Sequence, residues 1–229
     1  MTSSSVPMFV FISTIASGTY TSPRLTLYHE NINLSLDTLN LMRWGSALEP
    51  VGKPRIYVVR LGGDNPKLST AMKLVRLGYA TRIHVDDIPP HSIVLNPLSQ
   101  EILKPLDSVP LLRHGLVVLD TSWNSGIEDL RKIAVKRRYE QRVLPVLKAG
   151  NPVNYGVLTK LSSVEAVAAA LYITGFKEYS LEILSKFKWG HTFYELNKEY
   201  LERYSSAKSA DEVIKIQEEI LRSMNIRLR

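Results

Sequence analysis

From Asn151 to Gly175 the chain reads N-P-V-N-Y-G-V-L-T-K-L-S-S-V-E-A-V-A-A-A-L-Y-I-T-G, a run of turn formers followed by a segment that is apolar on nearly every side. The second half constrains the fold most. Val164 to Ile173 has too many apolar faces for a single surface stripe, so it must be an interior helix with other elements packed around it. Ser162 followed by Glu165 has the spacing of a capping box, which starts that helix near Ser163. Ahead of it, Asn151, Pro152, Asn154 and Gly156 each favour a turn for a separate backbone reason, so the chain leaves a core strand and changes direction sharply. The first helical turn offers backbone N–H groups and the Ser163 hydroxyl, which suit a carboxylate or phosphate. A capped core helix behind a tight loop explains the same residues without a ligand.

What surrounds the helix is legible from Arg55 onward. Ile56 to Leu61 reads as a buried strand, Gly62 to Pro66 as a loop, and Ser69 to Leu77 as a helix ended by Gly78. Ser92 to Leu95 is a second core strand, and Leu98 to Arg113 is helical in pieces around Pro105 and Pro110. Leu116 to Leu119 is a third strand, a helix follows from about Ser125 to Tyr139, and Leu144 to Leu147 is a fourth strand. Near-continuous apolar strands alternating with helices indicate an α/β fold, a mainly parallel sheet covered on both faces. Lys177–Phe187, His191–Tyr204 and Ala210–Met224 then read as helices, with Trp189, Phe193 and Leu196 spaced to pack on one helical face. The expected organisation is an accessory segment over 1–54, an α/β domain over 55–147, and a mainly helical domain over 148–229 that completes the ligand site.

In such sheets ligands bind beyond the carboxyl ends of the strands. Three polar segments converge there: Asp64 to Thr70, Asp120 to Asn124, and Asn151 to Gly156. Asp120 leaves a buried strand and can face a cleft as a general base; equally, an aspartate at a strand end can bond only its own turn. Trp123 has to pack on something, either as a plug over the sheet end or as the wall of a site whose face attracts a cation.

Several chemistries are excluded. The chain has no cysteine, which removes disulfides, zinc–thiolate sites and cysteine nucleophiles, and its five histidines lack metal-ligand spacing, so no metal is expected. The apolar run from Val6 to Ile15 is shorter than the ~20 residues that span a bilayer. No Lys or Arg precedes Arg24, so a secretory signal is not expected, and the reading is a cytoplasmic, monomeric protein with no membrane partner. Lys plus Arg exceed Asp plus Glu by 29 to 22, a formal +7, which favours a polyanionic partner. Much of the excess lies in Arg131, Lys132, Lys136, Arg137, Arg138 and Arg142, set against Glu140 alone. With Tyr139 among them, these residues either grip a phosphate backbone and stack a base or form a solvated helix face. Lys186 and Lys188 repeat the mixture more weakly.

Four stretches in order resemble one family: Leu116–Asn124 (L-V-V-L-D-T-S-W-N), Asn151–Gly156 (N-P-V-N-Y-G), Leu161–Gly175 (L-S-S-V-E-A-V-A-A-A-L-Y-I-T-G) and Phe187–Asn197 (F-K-W-G-H-T-F-Y-E-L-N). The chain is similar, over about Arg55 to Asn197, to the small-subunit ribosomal RNA aminocarboxypropyltransferases. The resemblance implies transfer of the 3-amino-3-carboxypropyl group of S-adenosylmethionine to a pseudouridine or its methylated form. The substrate it implies is small-subunit ribosomal RNA or a pre-ribosomal particle. It also implies a topology related to the knotted SPOUT-type methyltransferases, which chain physics alone would disfavour. Position by position it places Thr70, Leu119, Leu144, Thr159 and Ser163 at the S-adenosylmethionine site, Trp123 beside the donor methyl group, and Asp120 as the base. The basic stripe (Arg131, Lys136, Arg137, Arg138, Arg142) is then the candidate RNA grip. Departures from the family pattern are Thr121 in place of Cys, Gly150 in place of Ala, and an inserted Asn65. Two other activities fit the same residues: a non-catalytic assembly factor that binds ribosomal RNA, and a conventional RNA methyltransferase.

Overall fold

The computed structural model describes residues 52–226 except 63–65, 67, 68, 122–126, 136 and 137. The first elements are strand β1 (Ile56–Arg60), helix α1 (Thr70–Arg76), strand β2 (Thr81–Ile83) and, after a 3-10 turn at Val85–Asp87, strand β3 (Ile93–Leu95). A second 3-10 turn (Pro105–Asp107) runs into α2 (Ser108–His114), then β4 (Leu116–Asp120), α3 (Ile127–Ala134) and β5 (Glu140–Arg142). Helices α4 (Ser163–Ile173), α5 (Lys177–Leu184), α6 (Gly190–Ser205) and α7 (Ala210–Ser223) follow.

The five strands form one sheet in the order β2-β1-β4-β3-β5, and every pairing is parallel. Strand alternation then sorts the side chains. Ile56, Val58, Leu116 and Val118 face the larger core, which contains eight apolar residues of α4 together with Phe176, Ile183, Phe193, Leu201 and Tyr204. Val59, Val117 and Leu119 face the other way, onto Leu130 and Ile133 of α3 and onto Tyr139. The sheet is thus covered on both faces, as an all-parallel sheet requires. Helix α4 packs on α5, α6, α1 and β4 at once, which is what its all-round apolar sequence demanded. Residues 55–147 and 148–226 share this core and lie within one compact unit.

Two sequence expectations are corrected and one strand is added. Strand β2 was not foreseen, because Thr81 and Arg82 are exposed and give no apolar run; only pairing with Tyr57–Val59 makes it a strand. The helix expected to reach Tyr139 ends at Ala134, and the polar residues Glu140–Arg142 pair with β3 as the last strand. Leu144–Leu147, expected as a fourth strand, is extended but lies outside the sheet. Pro145 has no N–H to give a ladder, and side chains stand where a neighbouring strand would. Gln217 Oε1 accepts from Val146 N at 2.9 Å, and Tyr204 OH donates to Val146 O at 3.2 Å. Asn197 accepts from Lys148 N and donates to Lys148 O, both at 2.8 Å. The opposite edge bonds Val157 O, Gly156 N and Thr159 N through Ala149 and Leu147. Helix α6 comes so close here that a Cβ on Gly150 would lie 2.5 Å from the Phe193 backbone, which explains why glycine stands at that position.

Candidate active site

Asp120 closes β4, two residues after Val118, so alternation points its carboxylate to the α4 face of the sheet. Two helix starts meet it there. Ser69 caps α1 by accepting Met72 N at 3.0 Å, and its hydroxyl proton goes to Asp120 Oδ2 at 2.8 Å. Ser163, the first residue of α4, donates to Asp120 Oδ1 at 3.2 Å. Thr70 joins the two helices directly, its Oγ1 accepting Val164 N at 3.4 Å. The main chain at the strand end is fixed as well, because Asp120 O accepts Leu61 N at 3.0 Å.

A second carboxylate secures the approach to this group. Glu165, buried at 0% exposure, accepts the N–H groups of Gly150 at 2.7 Å and Asn151 at 2.9 Å, the Asn151 amide at 2.7 Å, and Ser162 N at 2.6 Å and Oγ at 2.8 Å. The capping box read from the sequence is present, and it does more than cap. One side chain ties the 150–151 turn to the start of α4, so the loop and the Ser163 hydroxyl are set together. Within that loop Thr159 has a φ of 64°, a left-handed conformation that a β-branched residue adopts at a cost of about 1–3 kcal/mol. It is held by Thr159 N bonding Leu147 O at 2.9 Å and Oγ1 bonding Leu158 O at 2.7 Å.

Thus Thr70, Asp120 and Ser163 are brought together. Leu144 and Thr159 lie on the extended segment and its hairpin partner, outside the Asp120 hydrogen-bond set. The Leu119 side chain is buried on the α3 face, opposite the carboxylate. Trp123 falls outside the described residues. Ser69, which lies in the Asp64–Thr70 segment expected at the site but was not singled out within it, and Arg60, which was not placed there, are further members. Arg60 is the register partner of Asp120 and shares its face of the sheet. Ser69 was visible only as a helix-starting serine, and Arg60 could be found only once β1 and β4 were known to be neighbours.

The basic stripe divides. Arg131 and Lys132 are exposed on α3 and paired with Glu128 at 2.9 Å and Asp129 at 3.0 Å; Arg138 is exposed; Lys136 and Arg137 lie outside the described residues. Arg142 is corrected to a structural role: it is buried, with its Nε 3.1 Å from Asp107 Oδ2 and Nη1 3.4 Å from Glu140. Tyr139 is corrected too. It is 5% exposed in the core beneath α3, so no base can stack on it, and burial raises the pKa of its hydroxyl.

A parallel sheet whose strand ends gather two helix starts and a half-buried carboxylate defines an α/β protein of the class that holds small ligands beyond its strands. Comparison with known proteins narrows the class. Residues 93–221 match the family described as "Ribosome biogenesis protein, C-terminal". The "16S rRNA aminocarboxypropyltransferase" of Methanosarcina mazei is 42% identical over 164 residues, 71% of this chain and 92% of its own. The protein of that name from Methanopyrus kandleri is 45% identical over 161 residues, 69% and 92% of the two chains. The solved structure of the SAM-dependent rRNA:acp-transferase Tsr3 from Vulcanisaeta distributa matches with a TM-score of 0.65 at 38% identity, over 75% of this chain and 97% of that one. The chain belongs to the 16S rRNA aminocarboxypropyltransferase family.

Proposed function

We propose that this chain transfers the 3-amino-3-carboxypropyl group of S-adenosylmethionine to a pseudouridine, or its methylated form, in small-subunit ribosomal RNA, acting in the cytoplasm during ribosome biogenesis. The observation that carries the reading is the fastening of Asp120 between Ser69 and Ser163, which gathers three polar side chains at one strand end. These residues fit such a donor: a carboxylate suits its cationic end, while hydroxyls at the start of a buried helix suit its amino acid end.

When bound, S-adenosylmethionine supplies a carbon made electrophilic by its sulfonium, with a neutral thioether as leaving group. The protein's task is therefore placement, which decides which of the carbons on sulfur faces the acceptor nitrogen. Ser163 and Thr70 hold the amino acid end, and the main chain at Leu119, with Leu144 and Thr159, completes the donor pocket. Trp123 walls off the methyl group. Asp120 takes the ring N–H proton of the acceptor, leaving on nitrogen the electron pair that forms the new bond, or orients the base through the same contact. Arg131, Lys136, Arg137 and Arg138 draw the RNA backbone to the site.

The test is to incubate the protein with small-subunit ribosomal RNA and either carboxyl-labelled or methyl-labelled donor, then analyse the nucleosides by mass. Carboxyl label entering RNA while methyl label stays out is the expected result. Methyl label in RNA would make the chain a methyltransferase. Binding of RNA with neither label would make it an assembly factor.

A further inference from the structure

The hairpin loop Pro152–Val157 combines two properties that conflict unless something binds it. Its backbone is fixed at every turn. Asn151 Oδ1 accepts Asn154 N at 3.0 Å, Val157 N bonds Asn154 O at 2.9 Å, and Gly156 N bonds Ala149 O at 2.7 Å. Glu165 anchors the base of the loop through Gly150 and Asn151. Yet the side chains it presents are apolar and face solvent: Val153 is 88% exposed, Tyr155 62% and Val157 42%. The other large exposed hydrophobic residues are scattered, whereas these share one loop, and a rigid loop displaying an aromatic ring is the form a preorganised contact takes.

Its surroundings indicate the occupant. From Lys148 to Ser163 the chain carries Lys148 and Lys160 and no carboxylate, so the loop meets an anion without repulsion. Glu165 bonds both the loop base and Ser162, one residue before the Ser163 that reaches Asp120, so the base of the loop is tied to the helix start that carries the candidate site. Bases in single-stranded RNA are recognised chiefly by stacking on aromatic side chains.

We propose that Tyr155 is a base-stacking contact for an unpaired nucleotide of the RNA substrate, with Val153 and Val157 flanking the ring; the inference rests on the RNA-modifying reading above. Stacking adds affinity without neutralising phosphate, so it leaves a signature different from that of the lysines. Binding of a short single-stranded RNA of mixed sequence to the full chain is measured across a salt series for wild type, Tyr155→Ala, Tyr155→Phe and Lys160→Ala. Tyr155→Ala should lose about five- to a hundredfold in affinity with the slope of log affinity against log salt unchanged, whereas Tyr155→Phe should stay within about twofold of wild type. Lys160→Ala should make the slope shallower. The ring is exposed, and unchanged S-adenosylmethionine affinity in each variant controls for folding. Wild-type affinity in Tyr155→Ala would overturn the proposal and leave the loop to a protein partner; a loss accompanied by a changed slope would overturn stacking in favour of a backbone contact. If Tyr155→Ala fails this way while wild type still transfers carboxyl label to RNA, only this inference falls. If wild type transfers no label but Tyr155→Ala still loses RNA, the contact stands and the activity does not.

Discussion

The two faces of the sheet put side-chain-to-backbone bonds to different uses. On the α4 face, buried polar groups are bonded to backbone: Glu165 to Gly150, Asn151 and Ser162, Asn197 to Lys148, and Tyr204 to Val146. On the α3 face the core is smaller, Asn96 and Gln141 bond the carbonyls of Leu130, Ile133 and Ala134 that end α3, the ion pairs Arg131–Glu128 and Lys132–Asp129 are solvent-exposed, and the Tyr139 hydroxyl is buried without a hydrogen-bond partner among the described residues. Exposed ion pairs stabilise little, about 0–1 kcal/mol each, while bonds to buried backbone fix geometry. The difference locates precision. On the α4 face such bonds tie separate segments together, the 150–151 turn to the start of α4 and Lys148 to α6, whereas on the α3 face they end a single helix.

The sharpest way to break this contrast is at Asp120. Asp120→Asn keeps the shape and removes the proton acceptor, so turnover at saturating donor should fall ~10²- to 10⁴-fold with RNA affinity little changed, and any loss of donor affinity measures the charge's contact with the sulfonium. Single-turnover kinetics measure it, and partial rescue at higher pH, where the acceptor ring is more ionised, would identify proton removal as the missing step. Near-normal turnover would reduce Asp120 to a clasp between two helices.

Glu165 comes next. Glu165→Ala leaves its buried donors unanswered, and the loss should be about 3 kcal/mol or more in denaturant unfolding. Glu165→Gln keeps one acceptor oxygen and should lose less. A loss under about 1 kcal/mol for the alanine variant would mean that water replaces the carboxylate, and the α4 face would no longer differ from its counterpart.

A smaller effect compares two buried tyrosines directly. Tyr204→Phe removes a bond to Val146 O and should destabilise by about 0.5–1.5 kcal/mol, whereas Tyr139→Phe removes an unpartnered hydroxyl and should be neutral or stabilising. Thermal unfolding of both variants decides it, and equal destabilisation would erase the distinction.

The smallest effect is a pH dependence. Hydrogen bonds from Lys177 and Tyr172 hold the Glu202 carboxyl below the usual carboxylate range. A depressed pKa stabilises the fold above the ordinary carboxylate value, and that contribution is lost as pH falls through the folded value. Glu202→Gln should therefore flatten the acid limb of the stability profile while leaving its alkaline side in place, as a titration of the unfolding midpoint would show.

How much the sequence disclosed follows the same division. Helix α4 was legible to within a residue, because S-x-x-E and an unbroken apolar run state both its start and its surroundings. Asp120 was legible as the polar end of a buried strand. The Ser69–Asp120 bond was not, since it spans 51 residues and depends on which strands are neighbours. Nor was β5: Glu140, Gln141 and Arg142 carry no strand signal, and Arg142 is buried only because Asp107, on another element, answers its charge. Local pattern reports an element's own periodicity, and it is silent where a partner elsewhere in the chain supplies the reason.

The side chains that edge Val146–Lys148 set the order in which the protein can be completed. Asn197 and Tyr204 of α6 and Gln217 of α7 stand where a strand would, so the staple on Val146 N waits for α7. During synthesis every strand of the sheet and the α6 side chains emerge before Gln217, so the bond to Val146 N is the last of the three to become available. A chain cut short before Gln217 would lose that staple together with the core contact of Ile220, so slackness of the segment and loss of stability would come together.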